Sequence, residues 1–216
     1  MHVTRSQSGH GKRRSLVHAH RAPLEKADIV LVDQIPVTSI SRTVLDMART
    51  RPMEQAVALG DWALRQGLSP GLLSAALLEM ERWPGVRQAR RAVEFLDPHS
   101  ESVGESVSRV RLDIDGLPAP ALQQEILDSN GEVIARVDFL WKAQRTVGEF
   151  DGKVKYGRLL KPGQSVEQVL FEEKVREDLI RDCNLQVERW IWRDLHRPGV
   201  IRNRVLRAFA RTARPG

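Results

Sequence analysis

Length, composition and charge exclude several classes of protein. The chain has 216 residues, 41% of them hydrophobic and 29% charged, and carries a net charge of +6. Such proportions are ordinary for a globular protein, and no apolar run approaches the roughly 18 residues that span a membrane. The N-terminus lacks the apolar core of a secretory signal. Cys183 is the single cysteine, which rules out an internal disulfide and favours a reducing, cytoplasmic location.

The first half of the chain predicts a short β element followed by a helical layer. Residues 1–28 show no periodic pattern and are expected to be irregular. The apolar run 29–32 and the segment 36–38 predict the β element. Apolar spacing, N-cap residues and helix-ending Gly or Pro then predict helices over 39–48, 54–66, 69–80 and 86–96.

A change of composition at 97–100 predicts a boundary between one region, 1–97, and another, 98–216. Asn130-Gly131 is a strong hairpin signal within the second region. Helices are expected over 101–115, 165–183 and 197–211, with strands over 122–127, 133–141, 145–150 and 186–192. The expected fold class is α/β in the α+β sense, with a helical N-terminal region beside a core whose mixed central sheet is flanked by helices.

Acidic residues occupy two adjacent predicted strands. Because side chains alternate along a strand, Glu149, Asp151, Lys153 and Lys155 share one face as far as the strand lasts. A tight hairpin would bring Asp138 beside them. Clustered carboxylates repel one another and need a cation, for which Mg²⁺ is suited. The pattern therefore predicts a metal site for phosphodiester chemistry, although an exposed strand with ordinary charged residues would show the same alternation.

The same segment resembles a known nuclease signature. The runs 137–141 and 147–153 are similar to the "DF-x-W … E-x-DG" pattern of a PD-(D/E)XK subfamily related to very-short-patch-repair (Vsr) endonucleases. Four more segments resemble that pattern: Ser102-x-x-Glu105-Ser106-x-x-Arg109, Gly116-Leu117-Pro118-x-Pro120-x-x-Gln123, Lys174-x-Arg176-x-Asp178 and Val187-Glu188-Arg189-Trp190. The resemblance covers about residues 100–195 and implies a restriction-endonuclease-like core.

The resemblance also implies a role for each acid. Asp138 and Glu149 correspond to the metal-binding acids, and Glu105 to an acid of the first helix that completes the site, with Mg²⁺ or Mn²⁺ as cofactor. The implied activity is metal-dependent DNA endonuclease chemistry. One departure concerns Asp151, which stands where the usual catalytic lysine belongs. The lysine's role passes to Lys153 or Lys155, or catalysis has been lost.

The N-terminal half resembles a different family. The segments 20–24, 35–39 and 42–48 are similar to AbiEi-type antitoxins of type IV toxin–antitoxin systems. Those proteins usually begin with a winged helix-turn-helix, for which there is no room before His20, so this DNA-reading module is expected to be missing. The resemblance nonetheless implies an alternative function, a non-catalytic DNA-binding transcriptional regulator or antitoxin with a cognate toxin as partner.

Basic residues are concentrated in two further predicted helices. A solvated basic face is the ordinary explanation for either cluster, but several clusters on one chain favour binding to a polyanion, and DNA is the expected partner. No membrane partner is expected. The candidate nucleic-acid-binding residues are Arg87, Arg90, Arg91, Arg202, Arg204 and Arg207.

Overall fold

The computed structural model describes residues 2–5, 13–14, 17–152 and 165–212. Lys153 and Lys155 lie outside the described residues, so their proposed roles stay predictions. The expectation that residues 1–28 are irregular was wrong for 2–5, 13–14 and 17–21, which form strands. Strand β3 (Val17–Arg21) pairs in parallel with β1 (His2–Arg5) and antiparallel with β2 (Arg13–Arg14). Apolar and polar residues alternate along β3, a period-two signal too short to stand out in sequence.

A hairpin and a helical layer follow. Strands β4 (Ile29–Val32) and β5 (Ile35–Thr38) pair antiparallel. The Ser39 side chain accepts a hydrogen bond from the Arg42 amide and so caps the first helix. Buried Leu45, Leu73 and Ala89 belong to one apolar core among the four helices of this layer. These helices are α1 (Ile40–Thr50), α2 (Met53–Arg65), α3 (Pro70–Glu79) and α4 (Val86–Glu94).

The second half forms a four-stranded mixed sheet with helices packed against it. Strands β6 to β9 lie in sequence order; β6, β7 and β8 are antiparallel and β9 is parallel to β8. The fold is therefore mixed α+β, as predicted. Its elements are α5 (Val103–Ile114), β6 (Ala121–Leu127), β7 (Val133–Trp141), β8 (Thr146–Asp151), α6 (Val166–Asp182), β9 (Gln186–Ile191), α7 (Trp192–Leu195) and α8 (Val200–Thr212).

Element ends agree with the predicted ends to within three residues from residue 29 onward. The short helix α7 was not predicted. The strand expected over 186–192 ends at Ile191, and α7 begins at Trp192. The Asp194 carboxylate accepts the Ile191 amide at 3.2 Å, which satisfies a free donor at this helix start. No helix within the described ranges has the length and apolar character required to cross a membrane.

Close packing fixes the sheet against α5. Trp190 stacks on Phe139 with 5.3 Å between ring centroids, and its indole N–H donates to Ser108 Oγ of α5 at 2.8 Å. A Cβ at Gly148 would lie 2.4 Å from the Trp190 ring, and one at Gly104 would lie 1.9 Å from the Phe150 ring. The missing side chain at Gly104 therefore lets α5 approach the Phe150 ring, and the one at Gly148 leaves room for the Trp190 ring on the sheet.

A buried ion pair joins the helical layer to α5. Asp61 of α2 is fully buried and accepts from Arg109 at 2.9 Å, from Ser106 Oγ at 2.7 Å and from the Asp97 amide at 2.8 Å. Burial raises the pKa of Asp61, although Arg109 and these hydrogen bonds act in the opposite direction. The regions predicted on either side of residue 97 thus contact each other through a saturated polar network.

Candidate metal site and nucleic-acid surface

Asp138 occupies the centre of the acidic cluster. It lies on β7 one residue from the paired residues Phe139 and Gly148, so it neighbours Glu149 across the two strands. Its Oδ2 accepts the Phe150 amide at 2.8 Å, and its Oδ1 accepts a hydrogen bond from Gln123 at 3.3 Å. Asp138 therefore faces both neighbouring strands, β6 and β8.

Glu105 reaches the same cluster from α5. Ser102 caps this helix by accepting the Glu105 amide at 3.1 Å, which fixes Glu105 in the first turn. Glu105 Oε2 accepts Gln123 Nε2 at 2.9 Å and the Glu101 amide at 2.8 Å. Because Gln123 Nε2 also bonds to Asp138, one amide group stands between two carboxylates.

Gln123 holds this position with an unusual backbone. Its φ is +49°, in the left-handed region that residues other than glycine rarely adopt. It lies opposite Asp138, between the paired residues Leu122–Phe139 and Gln124–Val137. The left-handed turn directs the Gln123 side chain toward the carboxylates of α5 and β7. Sequence reasoning recorded Gln123 as part of a family pattern and assigned it no role.

Glu149 is balanced by two arginines. Its Oε1 accepts from Arg176 of α6, and its Oε2 accepts Arg189 Nε of β9 at 2.8 Å. Arg189 also pairs with Glu177 at 3.3 Å, and Arg176 donates to the Arg136 carbonyl at 3.1 Å. Glu149 is only 8% exposed, so these two cations compensate a carboxylate that is removed from water.

This arrangement shifts the pKa of Asp138. The pKa of Asp138 is raised from its ordinary 3.8 to about 6, mainly by burial and also by the charges of Glu105 and Glu149, against the opposing hydrogen bonds from the Phe150 amide and Gln123. A carboxyl with this pKa changes between its neutral and its charged form at a pH close to neutral. Perturbed carboxyls among like charges are common at functional sites.

The structure brings Glu105, Asp138 and Glu149 into one cluster, as the sequence predicted, and places Asp151 at the end of β8. Within the described part of the chain, no three His, Cys, Asp or Glu side chains are placed so that they could hold a metal ion. The metal-binding and catalytic roles of these acids therefore stay predictions. Sequence reasoning did not assign Arg189 to this site.

The predicted nucleic-acid-binding arginines differ in their surroundings. Helix α4 buries Val86, Ala89 and Ala92, so its arginines at 87, 90 and 91 face solvent. Arg91 pairs with Asp113 at 3.0 Å. These three side chains are available to a polyanion or to water.

On α8 the arginines are divided between structural and exposed positions. Arg204 donates to the buried Asp194 at 3.0 Å and to the Arg189 carbonyl at 3.1 Å, so it stabilises the fold. Arg202 donates to the Asp115 carbonyl at 3.1 Å, while Arg207 is exposed. Arg207 is therefore the better placed of the three for phosphate contact.

Comparisons with known proteins give sequence relatives only. The chain is 28% identical over 154 residues to two uncharacterized proteins of Mycobacterium tuberculosis, one from strain CDC 1551 / Oshkosh and one from strain ATCC 25618 / H37Rv. The aligned part covers 65% of this chain and 56% of each relative, so the chain spans little more than half their length. No family model matches the chain, and no solved structure matches it.

Proposed function

We propose that this protein is a metal-dependent DNA endonuclease-like enzyme that hydrolyses phosphodiester bonds. The observation that carries the proposal is the convergence of Glu105, Asp138 and Glu149 from α5, β7 and β8. Helix α5 and the two adjacent strands bring the acids together at one place. A cluster of this kind opposes folding unless a positive charge offsets it.

The cluster offers oxygen donors of the kind that a hard divalent cation prefers. The converging groups are carboxylate oxygens, the ligands that Mg²⁺ and Mn²⁺ prefer. Arg176 and Arg189 compensate Glu149, and the Gln123 amide lies between Glu105 and Asp138. When bound, a divalent cation would supply polarisation of the scissile phosphate and a lower pKa for an attacking water.

The residues of the chain would then act as follows. Asp138 and Glu149 would hold the ion, and Glu105 would complete the site. Arg176 and Arg189, each about one-third exposed, would donate to the negative phosphate.

Substrate binding would use the exposed arginines of α4 together with Arg207. Phosphate neutralisation by such side chains supplies affinity that does not depend on base sequence. The net charge of +6 agrees with a polyanionic partner. We infer that the protein acts in the cytoplasm, where its single cysteine stays reduced.

The test is cleavage of plasmid and short duplex DNA with Mg²⁺, with Mn²⁺ and with EDTA. Asp138→Asn and Glu149→Gln should abolish the metal-dependent cleavage, whereas the exposed Asp113→Asn, which makes the same chemical change, should leave it intact. Cleavage that survives in both site variants would show a contaminating nuclease. Absence of cleavage by the wild type, with folding confirmed by circular dichroism, would refute the enzymatic proposal.

A second candidate function is a non-catalytic DNA-binding regulator or antitoxin. It is favoured by the saturation of Glu149 with two arginines and by Asp151 in place of the usual lysine. In that case the arginine contacts are permanent and the acids serve only the fold. DNA binding by electrophoretic mobility shift would persist unchanged in EDTA and in Asp138→Asn, and no DNA would be cut.

A further inference from the structure

A cavity of about 860 Å³ lies in the N-terminal half, formed by elements that do not carry the acidic cluster. Its walls come from β1 and β3, from β5, from α1 and α2, and from the turn between α3 and α4. Its volume is within the range of roughly 300–1,000 Å³ typical of small-molecule sites. The cavity is therefore large enough for an organic ligand and independent of the proposed nuclease site.

A charged and aromatic network supports one wall. The guanidinium groups of Arg42 and Arg49 each lie 4.8 Å from the Trp83 ring centroid. Asp46 accepts from Arg42 Nε at 2.9 Å and from Arg49 at 2.6 Å. Arg49 also donates to the Pro84 carbonyl at 2.8 Å. These contacts fix Arg49, Asp46 and Trp83, all of which line the cavity, in defined positions.

The network leaves hydrogen-bond donors unused. The Arg49 side chain is only 9% exposed, and its Nε has no acceptor among the described residues. Arg42, whose side chain is 1% exposed, likewise has an Nη2 without an acceptor in the described part of the chain. A buried charged donor without an acceptor is costly, so a bound anion that reached Arg49 would relieve an existing deficit.

The charge of the lining also favours an anion. Arg49, Arg51 and Arg82 line the cavity together with Asp46. Asp46 already accepts from two guanidinium groups, so it adds little repulsion toward a negative ligand. Arginine forks are matched to phosphate oxygens, to which they can donate in pairs.

The rest of the lining suits a ligand with an apolar part and hydroxyl groups. Met47, Leu59 and Trp83 present apolar surface, and Thr38 and Thr43 place hydroxyl oxygens at the cavity wall. These two hydroxyls bond to each other at 2.8 Å and keep acceptor lone pairs. We propose that the cavity binds an organic phosphate of nucleotide size, with the phosphate on Arg51 and Arg82, close to Arg49, and the base against Trp83.

The experiment is isothermal titration of the full chain with AMP, adenosine and inorganic phosphate. AMP is expected to bind about tenfold or more tightly than adenosine, because only AMP can use the arginines. Arg82→Ala and Arg51→Ala should each weaken AMP binding by about tenfold. Arg193→Ala, which removes an exposed charge from α7 outside the cavity lining, should leave it unchanged.

Several outcomes would overturn the proposal. Adenosine binding as tightly as AMP would remove the role of the phosphate, and phosphate binding without AMP binding would exclude an organic ligand. Equal weakening by Arg82→Ala and Arg193→Ala would indicate attraction to net charge rather than a site. Absence of AMP binding up to roughly millimolar concentrations would refute it directly. Circular dichroism confirms that each variant is folded.

Discussion

Asp138 makes the stability of this protein depend on pH in a direction opposite to that of a salt-bridged carboxylate. Its pKa lies at about 6 in the folded chain and near 3.8 when unfolded. Between these values the folded chain holds a proton that the unfolded chain has released. Stability therefore falls as pH rises through this window and is highest, as far as Asp138 is concerned, below pH 4.

The magnitude follows from the separation of the two pKa values. A shift of about two units corresponds to roughly 3 kcal/mol, since each unit is worth about 1.4 kcal/mol. Asp138→Asn removes the ionisation but keeps an oxygen that can accept the Phe150 amide. The variant should therefore gain about 3 kcal/mol relative to the wild type between pH 4 and pH 8, whatever its stability at pH 4.

The assay is urea unfolding at several pH values in EDTA, with the difference between variant and wild type as the quantity of interest. Asp113→Asn, on an exposed and salt-bridged aspartate, is the matched control and should show a difference that does not grow. Addition of Mg²⁺ at pH 8 should stabilise the wild type and not Asp138→Asn. A constant difference between Asp138→Asn and the wild type across the pH range would refute the reasoning.

Three further predictions concern packing and charge. Asp61→Asn should cost about 3 to 5 kcal/mol in urea unfolding, because it leaves a buried arginine uncompensated, whereas Asp113→Asn should cost less than about 1 kcal/mol. Gly148→Ala should cost about 1 to 3 kcal/mol, because its Cβ would lie 2.4 Å from an indole ring, whereas Gly71→Ala, with 3.5 Å of clearance, should cost nothing. Arg87→Ala should reduce the salt dependence of DNA binding by about one unit of slope.

Each of these predictions has a distinct contrary result. Equal costs for Asp61→Asn and Asp113→Asn would mean that the ion pair between α2 and α5 does not hold the two halves together. If Gly148→Ala left the stability unchanged, the sheet and its tryptophans would be able to shift and make room for a methyl group at no cost. A salt slope identical to that of the wild type would exclude Arg87 from phosphate contact.

The elements of this fold were readable from local sequence because their signals are local. Apolar spacing, the Ser39 and Ser102 caps and the Asn130-Gly131 turn act within a few residues, and the predicted ends agree closely with the observed ends. The N-terminal strands were missed for the converse reason. Their pairing depends on a partner outside the local window, and the strands are too short to carry a strong pattern.

The acidic cluster, too, was predictable from the sequence only in part. Strand alternation and the short turn after Trp141 were enough to predict that Asp138 and Glu149 meet, because hairpin register follows from loop length. No local pattern gives the left-handed backbone of Gln123, or the Arg189 contact that depends on the parallel pairing of β9 with β8.

The sequence by itself determined the order of helices and strands from residue 29 onward apart from α7, the mixed fold class and the meeting of acids on neighbouring strands. Tertiary structure alone decided how the charges are compensated. Arginines from α6 and β9 reach Glu149, and the buried Asp61 fastens the helical layer to the helix that carries Glu105. The physical reason is that burial and long-range ion pairs depend on which elements pack together, and spacing along the chain does not encode this.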